Sequence, residues 1–257
     1  MITSTANPRV KWVRSLQAKR RAREDEGLFI VEGLRLAREV VAAGRPVKLV
    51  LHTDDLDARG RGVVNNLCRL GAEAEAVSAQ VMAACSSTES PPGLLVVLPL
   101  PALPLPERLT LALVADGIAD PGNLGTLLRT AAAAGVEAMF LTQGTVDVYN
   151  PKVVRGAMGA HLRLPVLALD PTALADRLAG LQVWIAEAGQ GLAYDGVDWA
   201  PPSALVIGGE ARGPQAGTRG LGGQSVHIPM PGGSESLNAA VAAAVILFEI
   251  ARQRGRR

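Results

Sequence analysis

The sequence predicts an α/β protein built from two domains. Three observations carry this. Short β-branched runs alternate with helical stretches along nearly the whole chain, a Pro-rich segment interrupts that alternation at 99–107, and hydrophobic residues make up 48% of 257 positions, enough for buried cores.

The first 26 residues carry seven Lys or Arg before the first acid at Glu24: Arg9, Lys11, Arg14, Lys19, Arg20, Arg21 and Arg23. Val10, Val13 and Leu16 fall on one helical face among them, so a basic amphipathic arm is expected. Such an arm either contacts phosphates or is a solvated helix face, and Trp12 either stacks on a base or anchors the arm. Strands are then expected at 28–32, 47–51, 75–77 and 93–98, with helices at 34–43, 63–70 and 79–84, the first two closed by Gly44 and Gly71. This first domain, 1–98, shows no catalytic constellation.

P-L-P-A-L-P-L-P-E at 99–107 has four prolines and reads as an extended spacer, with a ligand for a proline-recognition module as the second reading. The second domain, 108–257, opens with a strand at 109–115 and a helix from about Leu124 to Ala134, closed by Gly135, with Asn123 placed to cap its start. Strands at 138–142, 164–169 and 182–188 alternate with helices at 152–158 and 172–178. Two further strands, Ala204–Ile207 and Val226–Met230, each end in a Gly-rich turn, and an Ala-rich helix spans Leu237 to Ala251. About six mostly parallel strands result. Ligands of open α/β sheets collect at strand ends, so the loops at 208–213 and 228–238 are the candidate site, with Gly208, Gly209, Gly232 and Gly233 letting a ligand approach the backbone.

Formal charge is only +2, so overall charge does not announce a nucleic-acid partner. Cys68 and Cys85 are distant and read as reduced thiols; His52, His161 and His227 are scattered, so no metal site is expected. The N-terminus lacks an apolar signal core and the longest apolar helix is too short to span a bilayer, which points to a cytoplasmic protein without a membrane partner. The loop D-G-I-A-D-P-G-N-L-G does not match G-x-G-x-x-G, which disfavours a dinucleotide-dependent oxidoreductase.

Three motifs stand in order over roughly 120 residues: D-G-I-A-D-P-G-N-L-G-T-L-L-R-T-A at 116–131, G-G-E-A-R-G at 208–213 and I-P-M-P-G-G-S-E-S-L-N at 228–238. Together they resemble those of the SpoU, or TrmH-like, RNA 2'-O-ribose methyltransferases. The opening of the chain, with L-F-I-V-E-G-L-R-L-A at 28–37, is similar to the substrate-binding domain of many of these enzymes. The resemblance implies a SPOUT fold with a C-terminal trefoil knot and a homodimer with the active site at the subunit interface. It also implies S-adenosyl-L-methionine as cofactor and an RNA substrate, ribosomal in preference to transfer RNA. By the same resemblance Gly208, Ile228 and Leu237 bind the cofactor, with Gly209 and Met230 beside them. Asn123, Arg129, Glu210, Ser236 and Asn238 enter the active site, and Arg155 joins Arg9, Lys11 and Arg14 as an expected RNA contact. A non-catalytic RNA-binding protein that keeps the fold is the reading from another class.

Methylating a ribose hydroxyl requires the oxygen to lose its proton while attacking in line, so the site must stabilise a developing alkoxide. Relatives commonly assign hydroxyl activation to the arginine at position 129. A guanidinium with a pKa above about 12 is a poor base. Arg129 is therefore expected to stabilise the alkoxide and bind the adjoining phosphate, with a phosphate oxygen or water taking the proton. Gly125, one turn earlier, is expected to leave open backbone beneath it, and Glu210 is expected to organise the loop.

Overall fold

The computed structural model describes residues 1–209 and 213–255. The chain forms two compact units, one made of Met1–Ala102 with Asp147–Leu162, the other of Leu103–Val146 with the chain from Arg163 onward.

The first unit begins with α1 (Pro8–Ala18), α2 (Arg20–Glu26), β1 (Leu28–Glu32), α3 (Leu34–Ala42), β2 (Leu49–His52), α4 (Ala58–Arg69), β3 (Glu73–Ala76), α5 (Ala79–Cys85) and β4 (Leu94–Pro99). Its sheet has the order β1-β4-β2-β3, parallel only between β2 and β3. Strand alternation gives this sheet two apolar faces. Phe29, Val31, Val50 and Val96 pack with Val40, Val63 and Leu67 on one side. Leu28, Ile30, Leu49 and Leu95 pack with Val10, Val13, Leu16, Val81 and Met82 on the other. The expected apolar face of the arm is thus a core face. Trp12 packs on that core, with Lys48 Nζ 5.3 Å from its ring centroid. The helix α4 starts five residues before the expected 63, because Asp57 accepts from Gly60 N at 2.7 Å and caps a first turn whose Gly60 and Gly62 obscure its helical pattern.

The second unit opens with β5 (Leu111–Asp116), α6 (Pro121–Ala134) and β6 (Ala138–Leu141). The chain then enters the first unit for residues 147–162, which the sequence reading counts with the second domain. There α7 (Pro151–Ala157) is capped by Asn150, and Val154 and Leu162 join the Phe29 core. Asp147 pairs with Arg23 of α2, both nearly buried, and Arg23 Nη1 also donates to Leu16 O. Arg23 therefore belongs to the core, not to a solvated basic arm. Phe29, Tyr149 and His161 stack with centroids 5.1–6.1 Å apart. Fully enclosed, the His161 imidazole is pushed by burial down to about 4, and its Nε2 donates to Val148 O at 2.8 Å.

Back in the second unit come β7 (Val166–Ala168), α8 (Pro171–Leu178), β8 (Gln182–Ala186), β9 (Leu192–Ala193), β10 (Ser203–Gly208), α9 (Ala216–Arg219), β11 (Gln224–His227) and α10 (Ala239–Arg254). The sheet order is β7-β6-β5-β10-β8-β11-β9, and every pairing is parallel. The mostly parallel sheet expected from the sequence is present with one more strand, the two-residue β9. Pairing of β11 stops at His227 and not at Met230, since Pro229 and Pro231 have no N–H to donate. At the far end of α10, Arg254 donates to Trp199 O, Thr110 O and Pro201 O, each at 2.9 Å, so it closes the unit instead of ending in solvent.

Candidate active site

Because all seven strands run the same way, their C-terminal ends share one edge of the sheet, and two pockets lie along it. The first, about 470 Å³, sits over the ends of β10, β8 and β11 and is completed by the start of α10. Gly208, Gly209, Ile228, Met230, Ser236, Leu237 and Asn238 all line it. The second, about 440 Å³, sits over β6, β5 and β10 and includes Asn123, Gln143 and Gln215. Gly209 and Gly213 belong to both.

The glycines at the shared wall answer to chain crowding first. A Cβ at Gly208 would lie 2.5 Å from Gly213 C and Pro214 N, and one at Gly209 would lie 2.6 Å from Gly117 O. Gly209 N donates to Asp116 O, and Gly213 N to Gly209 O, both at 2.9 Å. Gly232 and Gly233, expected to admit a ligand, are exposed and line neither pocket.

Asp116, the last residue of β5, holds this edge together. Its fully buried carboxylate accepts from Thr142 Oγ1 at 2.5 Å, Gln215 N at 2.7 Å and Thr218 Oγ1 at 2.5 Å. One side chain thus ties the loop after β6 and the segment entering α9 to β5. Asp116 opens the first motif, and its one local signal in the sequence is an acid closing an otherwise apolar strand.

The two pockets meet at a pair of asparagines. Asn238 caps α10, its Oδ1 accepting from Ala240 N at 3.0 Å and Val241 N at 3.3 Å, while its Nδ2 donates to Asn123 Oδ1 at 2.9 Å. Asn123 is not the cap of α6: Asp120 fills that position, its Oδ1 accepting from Asn123 N at 2.8 Å, and Pro121 starts the helix. The Asn123 side chain is thereby directed to the site. Leu237 is 38% exposed and Ile228 half-buried, so neither is a plain core residue.

Arg129 is exposed on α6 and lines neither pocket. It lies six residues beyond Asn123, about 9 Å along the axis and about 240° around it. Gly125 is buried, so it offers no open floor beneath the guanidinium. Glu210 lies outside the described residues. On α1, Lys11 and Arg14 are exposed, whereas Arg9 is held by Glu73 at 2.6 Å and Glu75 at 2.9 Å. Arg155 lies in the first unit on α7 and donates to Ser87 Oγ. Two charged residues of the first pocket went unread in the sequence: Glu187 accepts from Ser225 Oγ at 2.6 Å and pairs with Arg219 at 2.6 Å.

The first pocket combines an apolar wall of Ile207, Ile228, Leu237 and Ile246 with glycine backbone and a polar end at Ser236 and Asn238. That lining fits a ligand with a flat apolar portion and a small polar portion, beside a Glu187–Arg219 pair whose charges offset one another.

Comparison with known proteins agrees. The model of the SpoU rRNA Methylase family matches residues 110–248, and that of the MRM3-like substrate binding domain matches residues 7–96. The chain is 31% identical to 23S rRNA (guanosine(2553)-2'-O)-methyltransferase RlmP of Bacillus subtilis, over 97% of its own length and 98% of that protein's. It is also 31% identical to the 23S rRNA (uridine(2479)-2'-O)-methyltransferase of Streptomyces viridochromogenes, over 98% and 92%. The crystal structure of the SpoU methyltransferase AviRb from Streptomyces viridochromogenes, in complex with AdoMet, superposes with a TM-score of 0.88 at 30% identity, covering 96% of this chain and 98% of that one. With Asn123, Gly208, Ile228 and Leu237 of its motifs lining pockets at one edge of a parallel sheet and a family match over residues 110–248, the chain belongs to the SpoU rRNA methylase family.

Proposed function

We propose that the chain is an S-adenosylmethionine-dependent methyltransferase acting on a ribose 2'-hydroxyl of ribosomal RNA, in the 23S molecule. The observation that carries this is the convergence of Gly208, Ile228 and Leu237, 20 and 9 residues apart in sequence, on one pocket that Asn238 links to Asn123. Ile228, Leu237 and the glycine backbone hold the adenine, and Ser236 and Asn238 meet the polar end. When bound, the cofactor would supply a methyl group on a positive sulfur, with a neutral thioether as the leaving group. Asn123 and Asn238 orient the ribose. Arg129 stabilises the alkoxide and binds the adjoining phosphate, while the hydroxyl proton passes to a phosphate oxygen or water.

Arg129 reaches a cofactor pocket in a homodimer, as part of the same proposal. Support comes from α10, whose Val241 and Phe248 are 47% and 53% exposed seven residues apart, with Val245 between them on the same face. α10 packs along α6, which carries Arg129. A trefoil knot in the C-terminal segment belongs to this reading, supported by the crowding of Gly208 against Gly213 and Pro214. The first unit captures RNA through Lys11 and Arg14, and the match to a substrate binding domain over residues 7–96 favours ribosomal over transfer RNA. Among the described residues no helix is long and apolar enough to cross a membrane, and we place the enzyme in the cytoplasm.

Isothermal titration with S-adenosylmethionine tests the reading: a methyltransferase gives saturable heat, and a binding module that only keeps the fold gives none. Mapping ribose methylation in 23S rRNA from cells with and without the gene then names the nucleotide. At saturating RNA, Arg129→Lys should lower turnover at least tenfold, since an ammonium cannot reproduce the planar fork. Full turnover would remove Arg129 from the chemistry.

A further inference from the structure

Resting on the methyltransferase reading, we propose that the second pocket receives the base of the target nucleotide. It lies beside the cofactor pocket and shares the Gly209 and Gly213 wall with it, and Asn123 of its lining is bonded to Asn238 of the other. At about 440 Å³ it is within the roughly 300–1,000 Å³ of small-molecule sites.

The lining chemistry selects the class of occupant. Among its described lining residues are two carboxylates, Asp116 and Asp120, and no cation. With the Asp116 carboxylate enclosed by three donors and Asp120 exposed, this lining favours a neutral part of the RNA over a phosphate. The remaining polar side chains are the amides of Asn123, Gln143 and Gln215, which donate and accept at once, as the edge of a base does. Gln215 Nε2 donates to Gln143 O at 2.8 Å and Thr142 Oγ1 at 3.3 Å, which leaves its Oε1 as an acceptor for a base N–H.

The floor is bare and rigid, as a planar ring requires. Gly117 and Gly144 contribute only backbone, and a Cβ at Gly117 would lie 2.7 Å from Gln215 Nε2. Asp116 fixes both sides of this floor through Thr142 and Gln215. A nucleoside seated here puts its ribose at the asparagine pair and its 2'-oxygen toward the cofactor pocket, the arrangement in-line transfer needs.

The test uses the full chain, S-adenosylmethionine and 23S rRNA isolated from cells lacking the gene. Ala119 is exposed and lines only this pocket, so Ala119→Trp plugs it. Gln143→Ala removes an exposed amide and leaves the fold intact if the plug does not. The inference expects cofactor Kd within twofold of wild type for both. It expects the KM for RNA to rise about tenfold in Gln143→Ala, one lost base contact, and methylation to fall at least a hundredfold in Ala119→Trp. Gln143→Ala with unchanged KM for RNA, or a folded, cofactor-binding Ala119→Trp that methylates at the wild-type rate, overturns it. A wild-type chain that binds no cofactor overturns the methyltransferase reading itself, and this inference with it.

Discussion

Replacing Asp116 by alanine would remove an acceptor from three donors that it gathers at this edge. The Thr218 hydroxyl has a second acceptor in Gln215 O at 2.8 Å, so it can be satisfied without the carboxylate. Gln215 N and the Thr142 hydroxyl lose their acceptor outright. A buried unsatisfied donor costs about 1–3 kcal/mol, and both donors here are only partly buried, so at the low end two come to about 2 kcal/mol. For a unit of this size that is a fall in Tm of about 6 °C. Calorimetry can follow it, because the transition of the second unit is the one that S-adenosylmethionine raises by mass action. The cofactor itself should bind more weakly, since Gln215 N leads directly from the shared wall. An Asp116→Ala chain whose cofactor-sensitive transition moves by less than about 2 °C, with unchanged Kd, would show that this carboxylate does not hold the edge together.

Burial keeps His161 neutral down to about 4, whereas the unfolded imidazole takes its proton at 6.5. Between those values the unfolded chain binds more protons, so stability falls as pH falls through that window, by about 3 kcal/mol; urea titrations at pH 7 and 4.5 should show this slope, and His161→Phe should flatten it. Removing one partner of the Arg23–Asp147 pair strands a buried charge, so Asp147→Ala should destabilise the first unit by about 3–5 kcal/mol. Arg23→Met with Asp147→Leu should recover most of that in the same urea assay. Asn238→Ala should lose a cap of about 1 kcal/mol as well as the Asn123 bond. Asn238→Asp keeps the cap acceptor and loses the donor, and should retain Tm while methylation drops.

Strands that are apolar throughout were legible at once, because burial on both faces leaves no polar position: β5 and β10 lie within a few residues of where their sequence puts them. Gly135 ends α6 in the left-handed conformation, as a C-terminal glycine should. What stayed hidden was long-range. The partners of Asp116 lie 26, 99 and 102 residues away, so its role has no local trace. Arg23 counted as surface charge because Asp147, 124 residues on, could not be seen to neutralise it. The motifs carried Asn123 and Asn238 to the site, but no sequence spacing revealed that they touch.

Residues 147–162 make the chain pass between its two units three times. The Pro-rich segment at 99–107 therefore holds one of three crossings between the units and is not the sole seam. A gene fragment starting at residue 103 would carry Val154, Tyr149 and His161 stripped of Phe29, a naked greasy insert prone to clump. A fragment stopping at 102 would miss the carboxylate that quenches Arg23. Shuffling either half into another protein means moving both, so the pair is inherited as one piece.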